Sequence, residues 1–351
     1  MPEPIISFKN FSFQYRAQKR PTLYDISLDI YPGERVLIVG PSGSGKSTPG
    51  SCINGLNPAC FPGECTGSLT VAGLDAPTAG LFALSQHVGT VLQDPDGQFI
   101  GLTVGEDIAF ALENDCRPTA EMHEITRRAA ALVGVEDHLD NAPGELSGGQ
   151  KQRVSLAGVM VNEVEVLLFD EPLANLDPAA GKQTIELIDR VQKRTGAAVV
   201  IIEHRLEDVL WRHVDRILLI SEGRLAADLP PNQLLSTDLL ARHGIREPLY
   251  ITALRYAGVG ITPEMQPDHV EHIRLSEGDC QKLRDWFCAA LPAPEPRPAR
   301  TVAGRGHRLW LHPRAGHLKR DRFCDRKGRD AEHRGPQRGG QIHPFQADLR
   351  L

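Results

Sequence analysis

Residues 40–48 read Gly40-Pro41-Ser42-Gly43-Ser44-Gly45-Lys46-Ser47-Thr48 and follow the apolar run Val36-Leu37-Ile38-Val39 directly. No other stretch restricts the fold as much. A short continuous apolar run predicts a strand buried on both faces, and G-x-x-x-x-G-K-[ST] between such a strand and a helix is the spacing of a phosphate-binding loop. Glycines let backbone N–H groups turn toward phosphate oxygens. Lys46 is then expected to reach the β- and γ-phosphates and the Ser47 hydroxyl to ligate Mg²⁺.

A strand buried on both faces needs neighbours, and the sequence supplies them. Short apolar runs at 88–92, 164–169, 197–202 and 216–220 alternate with helical periodicity at 120–133, 150–161 and 179–195, which predicts a mostly parallel sheet covered by helices. Residues 5–30 differ. There Ile6, Phe8, Phe11, Phe13, Leu23, Ile26, Leu28 and Ile30 give the period-2 pattern of antiparallel, half-buried strands. The expected fold is therefore α/β, a P-loop core with an antiparallel β subdomain.

Val166-Leu167-Leu168-Phe169-Asp170-Glu171 is an apolar strand ending in two acids. P-loop enzymes hold their metal with such an Asp, so Asp170 is the expected metal-side carboxylate. Glu171 points elsewhere and is placed to polarise a water for in-line attack.

Composition excludes several other classes. Hydrophobic residues are 41% and charged residues 24% of 351, with a net charge of −6, as in ordinary globular chains. No apolar run reaches the ~18–20 residues that cross a bilayer, and the start MPEPIISFKN lacks the pattern of a secretory signal. Seven cysteines without a C-x-x-C pair predict reduced thiols rather than a disulfide or zinc framework.

Leu146-Ser147-Gly148-Gly149-Gln150 resembles the signature loop of ATP-binding cassette (ABC) transporter subunits, and with it the chain resembles that family over residues 4 to 228. Other elements follow in the family's order. Tyr15 lies where the family stacks an aromatic on adenine. Gln93 resembles the Q-loop glutamine that senses Mg²⁺ and the transmembrane partner, Asp177 in Leu173-Ala174-Asn175-Leu176-Asp177 the D-loop acid that bridges two cassettes, and His204 the switch histidine at the γ-phosphate. The resemblance implies ATP and Mg²⁺ as cofactors, catalysis by Glu171, His204 and Gln93, and metal binding by Ser47, Gln93 and Asp170. It also implies a helical subdomain around 105–160 that presents the signature loop to the ATP of a second cassette.

Gln93-Asp94-Pro95-Asp96-Gly97-Gln98-Phe99, residues 103–110 and residues 203–209 are similar to energy-coupling-factor (ECF) ATPases, in particular to the two-cassette form linked to import of hydroxymethylpyrimidine and thiamine precursors. That likeness implies a transmembrane coupling subunit, a substrate-binding membrane subunit and a place on the cytoplasmic face of the membrane, with no nucleic acid. A soluble ABC ATPase of translation or DNA repair is the alternative.

Two features depart from the family pattern. Pro49 follows the P-loop where an apolar helix former is usual, and a proline inside a helix removes an N–H and crowds the carbonyl four residues back, so a distorted phosphate cradle is expected. Residues 300–351 carry thirteen Lys or Arg against five Asp or Glu. Shifting the codons of residues 335–344 by one base allows G-R-N-G-A-G-K-S-T-L, a second phosphate loop, so this tail reads as an out-of-frame remnant of a second cassette. A basic arm for nucleic acid or anionic lipid is the competing reading. The expected organisation is 1–229 nucleotide-binding domain, 230–299 extension and Pro-rich linker, and 300–351 basic tail. Without a second cassette in the same chain, hydrolysis would need a homodimer or a paralogous cassette.

Overall fold

The computed structural model describes residues 3–94, 96–174 and 176–290. The proposed remnant at 300–351 lies outside the described residues. A four-stranded antiparallel sheet holds β1 (Ile6–Tyr15), β2 (Leu23–Ile30), β4 (Gly63–Val71) and β5 (Leu74–Asp75) in the order β2-β1-β4-β5. Between β2 and β4 the chain contributes β3 (Arg35–Val39) to a second sheet, joined by β6 (Val88–Val91), β7 (Val166–Asp170), β8 (Ala198–Ile202), β9 (Arg216–Ser221) and β10 (Arg224–Leu229). Its order is β10-β9-β3-β8-β7-β6, parallel except for the antiparallel β9–β10 pair.

Side-chain alternation on the parallel strands divides the interior into two cores. Val36, Ile38, Leu168, Val200 and Leu218 face Phe8, Phe11, Phe13 and Leu69 of the antiparallel sheet. Leu37, Val39, Phe169, Ile201 and Leu219 face the helices, among them Val104, Ile108, Ile185 and Val191. Because both faces of the sheet are covered, both alternating sets are apolar, which is why these strands read as unbroken hydrophobic runs. In β1 the buried apolar residues step by two, then by three from Phe8 to Phe11, because the register shifts between Phe8 and Phe11 on β2 and between Lys9 and Ser12 on β4. Asn10, at φ 48°, carries that bulge.

Helices Val104–Asn114, Thr119–Val133 and Gly148–Met160 pack on one another and form the helical subdomain expected around 105–160. Helix Pro178–Thr195 covers the parallel sheet and is tied to β3 through Arg35. That buried guanidinium donates to Asp189 at 2.9 Å, Gln192 at 2.7 Å and the His213 carbonyl at 2.8 Å. Strands β4, β5 and β10 have no counterpart in the sequence expectations.

The described residues form one compact unit. The segment after β10 belongs to it: Leu234, Leu235, Leu240, Ile245 and Ile251 are buried with Leu206, Val209, Leu210 and Val214.

Candidate nucleotide site

The loop that follows β3 crosses the end of the parallel sheet, where glycine is required at two points. A Cβ on Gly40 would meet the Ile220 carbonyl at 2.3 Å, and Gly45, at φ +90°, would meet the Thr22 carbonyl at 2.9 Å. Gly223, in the β9–β10 turn, fastens the loop by donating to the Ser44 carbonyl at 3.0 Å, while its own carbonyl accepts from Tyr24 N–H at 2.7 Å. The Ser44 hydroxyl is buried and has no protein partner, so it has a proton to give to an anion in the loop.

Pro49 does not interrupt the helix after the loop. The helix runs Thr48–Ile53, which puts the proline at its second position, where a backbone N–H has no intrahelical acceptor to lose. The Gly45 carbonyl instead accepts from Thr48 N–H at 3.0 Å. The interior proline assumed from the sequence is therefore corrected, and with it the mechanical reason for a distorted cradle.

β7 lies beside β8, and their ends carry the acids to the loop. Ser47 Oγ donates to Asp170 Oδ1 at 3.3 Å. Burial raises the Asp170 carboxyl above its ordinary range and neighbouring Glu171 adds to this, against the Ser47 hydrogen bond and the Lys46 charge. Glu171 departs from strand geometry with φ 48°, a conformation that non-glycine residues hold only where surroundings enforce it. Its carboxylate lies 3.0 Å from Lys46 Nζ, accepts from Gln93 Nε2 at 3.0 Å and stands 4.0 Å from His204 Nδ1. Lys46, Ser47, Gln93, Asp170, Glu171 and His204 are thus brought together at one end of the sheet.

Tyr15 sits at the loop's flank. Its hydroxyl is 3.4 Å from Thr48 Oγ1 and accepts from Asn57 Nδ2 at 3.1 Å, while its ring meets Phe13 edge to face at 4.8 Å. The signature residues form a different end of the molecule's helical layer. Ser147 caps helix Gly148–Met160 in a reciprocal box with Gln150, Leu146 is buried, and Ser147 and Gly148 are exposed. Asp177 caps helix Pro178–Thr195 by accepting from Ala179 and Ala180 N–H at 2.9 and 3.0 Å.

Several organising residues escaped the sequence reading. Glu203 is fully buried and accepts from the backbone N–H groups of Leu173, His204 and Arg205 at 3.0, 2.7 and 3.0 Å. Arg205 donates to the Leu173 and Leu176 carbonyls, and Gln152 to the Pro172 carbonyl. Gln98 braces the start of the Q-loop through Leu92 N–H and the Thr90 carbonyl. Their signal in the sequence was only adjacency to motifs.

Fold and site together define a P-loop nucleotide-binding domain with a signature helix. Residues 23–174 match the ABC transporter family, and residues 237–300 match a family described as ATP-binding cassette cobalt transporter. A putative ABC transporter ATP-binding protein of Enterococcus faecalis is 55% identical over 82% of this chain and 50% of its own length, and one of Clostridium perfringens is 54% identical over 81% and 50%. The chain spans about half the length of the curated relatives it matches. Among solved structures, cbiO1 of C. perfringens, described as part of the ABC transporter complex cbiONQ, superposes with a TM-score of 0.62 at 28% identity, covering 72% of this chain and 99% of that one. The cassette MJ0796 bound to ADP and Pi shares the fold, with a TM-score of 0.56 at 24% identity, covering 64% of this chain and 98% of that one. The described body is an ABC ATPase domain, similar to about half the length of ABC transporter ATP-binding proteins.

Proposed function

We propose that this chain is the ATP-hydrolysing subunit of an ECF-type importer, seated on the cytoplasmic face of a membrane. The observation that carries the reading is the convergence of Lys46, Gln93 and His204 on Glu171, one residue from the Asp170–Ser47 pair. In this reading the residues of the loop, from Gly40 to Thr48, hold the phosphates of ATP and Tyr15 lies against adenine. Lys46 exchanges Glu171 for the β/γ-phosphates, and the released carboxylate takes a proton from the attacking water. His204 steadies the γ-phosphate.

Mg²⁺ suits the oxygen donors that Ser47 and Asp170 turn toward one another, with Gln93 near at hand. When bound, it would offset phosphate charge. Leu146, Ser147, Gly148, Gly149 and Gln150 face the ATP of a second cassette, and Asp177 lies at the junction of the two. That cassette is a second copy or a paralogue. Residues 300–351 are read as the out-of-frame remnant of one. Two facts support this: the family match ends at residue 300, and the aligned stretch covers only about half of the relatives' length.

The membrane partners are a coupling subunit and a substrate-binding subunit. Exposed Leu92, Ile100 and Leu102 lie along the Q-loop segment and exposed Phe110 on helix Val104–Asn114 that follows it, which supports an apolar docking partner. No described helix is long and apolar enough to cross a membrane itself. The substrate is a vitamin or precursor of the hydroxymethylpyrimidine and thiamine type. The cobalt description of the family matched at 237–300 favours Co²⁺ as a second reading.

Co-expression with its membrane subunits and an uptake assay separates these readings. ATP-dependent accumulation of labelled hydroxymethylpyrimidine supports the first and Co²⁺ uptake the second. Capture with ribosomes or DNA instead would remove the importer.

A further inference from the structure

Among the described residues, an ion pair joins the Q-loop to the signature helix. Lys151 Nζ lies 2.5 Å from Asp96 Oδ1, and the two side chains differ sharply in setting, 17% exposed for Lys151 and 67% for Asp96. Lys151 occupies the first turn of helix Gly148–Met160, with its N–H donated to the Ser147 carbonyl at 2.9 Å. A cation there opposes the helix dipole, so helix stability gives no reason for it. Asp96 supplies the anion that such a position favours.

Asp96 is held by the loop that carries Gln93. Gln98 pins the loop's base at Thr90 and Leu92, and Asp96 N–H donates to Asp94 Oδ1 at 3.1 Å. Within six residues the same loop therefore donates to Glu171 at one end, through Gln93, and grips the signature helix at the other. Gln150 Nε2, one residue from Lys151, lies 2.8 Å from His138 Nε2, which fastens that turn to the helical subdomain.

We propose that Asp96 and Lys151 are a pair of positioning residues that transmit occupancy of this cassette's own nucleotide site to the signature loop it presents to the second cassette. The proposal rests on the cassette reading above. With Asp96 largely in solvent, the pair adds little to stability, so its contribution is to where Ser147 and Gly148 stand.

Hydrogen–deuterium exchange on the full chain, with and without a Mg²⁺-bound non-hydrolysable ATP analogue, tests this without requiring turnover. In the unmodified chain the analogue is expected to change exchange at both 40–48 and 147–153. Asp96→Asn and Lys151→Met should keep the response at 40–48 while losing at least about half of that at 147–153, and the exchanged pair Asp96→Lys with Lys151→Asp should restore it. Thermal melting of all variants should match the parent, because Asp96 is largely in solvent. The proposal is overturned if the single variants respond at 147–153 as the parent does, if the exchanged pair stays silent there, or if the parent responds at 40–48 alone. No response at 40–48 in the parent removes the cassette reading and the proposal with it.

Discussion

Lys46 and Glu171 neutralise one another across the nucleotide site, with 3.0 Å between the ammonium nitrogen and the nearer carboxylate oxygen. Glu171→Gln removes the anion that competes for Lys46 while leaving a side chain of the same length. Nucleotide affinity should rise about threefold or more, and ATP turnover should fall at least about 100-fold. Lys46→Met should abolish binding of a fluorescent ATP analogue. Equal affinity in Glu171→Gln and the parent would show that the ion pair does not compete with phosphate.

Pro49 offers a second check. Because it stands at the second helical position, Pro49→Leu restores an N–H that has no intrahelical acceptor. Titration with the same analogue should give an affinity within about twofold of the parent. A tenfold gain would mean that the ring does displace the loop.

Glu203 is an acceptor for three backbone N–H groups in a fully buried place. Glu203→Ala leaves those donors unpaired and should lower unfolding free energy by at least about 2 kcal/mol in urea titrations. It should also loosen His204, so turnover at saturating ATP should fall more than affinity does.

Arg35 and Asp189 make stability depend on acid. Burial alone would raise the Asp189 carboxyl, but hydrogen bonds from Lys193 and Arg35, and the Arg35 charge, hold it below its ordinary value. A carboxylate with a depressed folded-state pKa contributes stability above its unfolded value, near 3.9. That contribution should disappear as pH falls below about 4. Arg35→Met should destabilise the protein by about 3 kcal/mol at neutral pH, since it leaves Asp189 buried with only Lys193, and should flatten the acid limb of the melting curve.

Much of this was legible in the sequence because motif chemistry and side-chain period are local. Val36–Val39 before the loop, the acids ending β7 and the helical stripes at 120–133 and 179–195 each announce themselves locally. β4 was missed because Gly63–Val71 mixes Gly, Cys, Ser and Thr and buries few of its residues, and β10 because only its pairing with β9 orders it. Glu203, Arg205 and Gln152 act on main-chain groups 20 to 32 positions away, and contacts to carbonyls and N–H groups leave no pattern in side-chain sequence. The proline was misjudged by assuming where its helix began.

Hairpin tips are where engineers place affinity tags and fluorescent reporters, since exposed turns usually accept insertions. The β9–β10 turn has that outward form, with Glu222 exposed, yet Gly223 beside it is buried and bonded to Ser44 on one side and Tyr24 on the other. A Cβ there would already meet the Thr22 carbonyl at 2.3 Å. A label spliced at this tip would detach the phosphate loop from its brace, and would report on a protein whose nucleotide site it had itself undone.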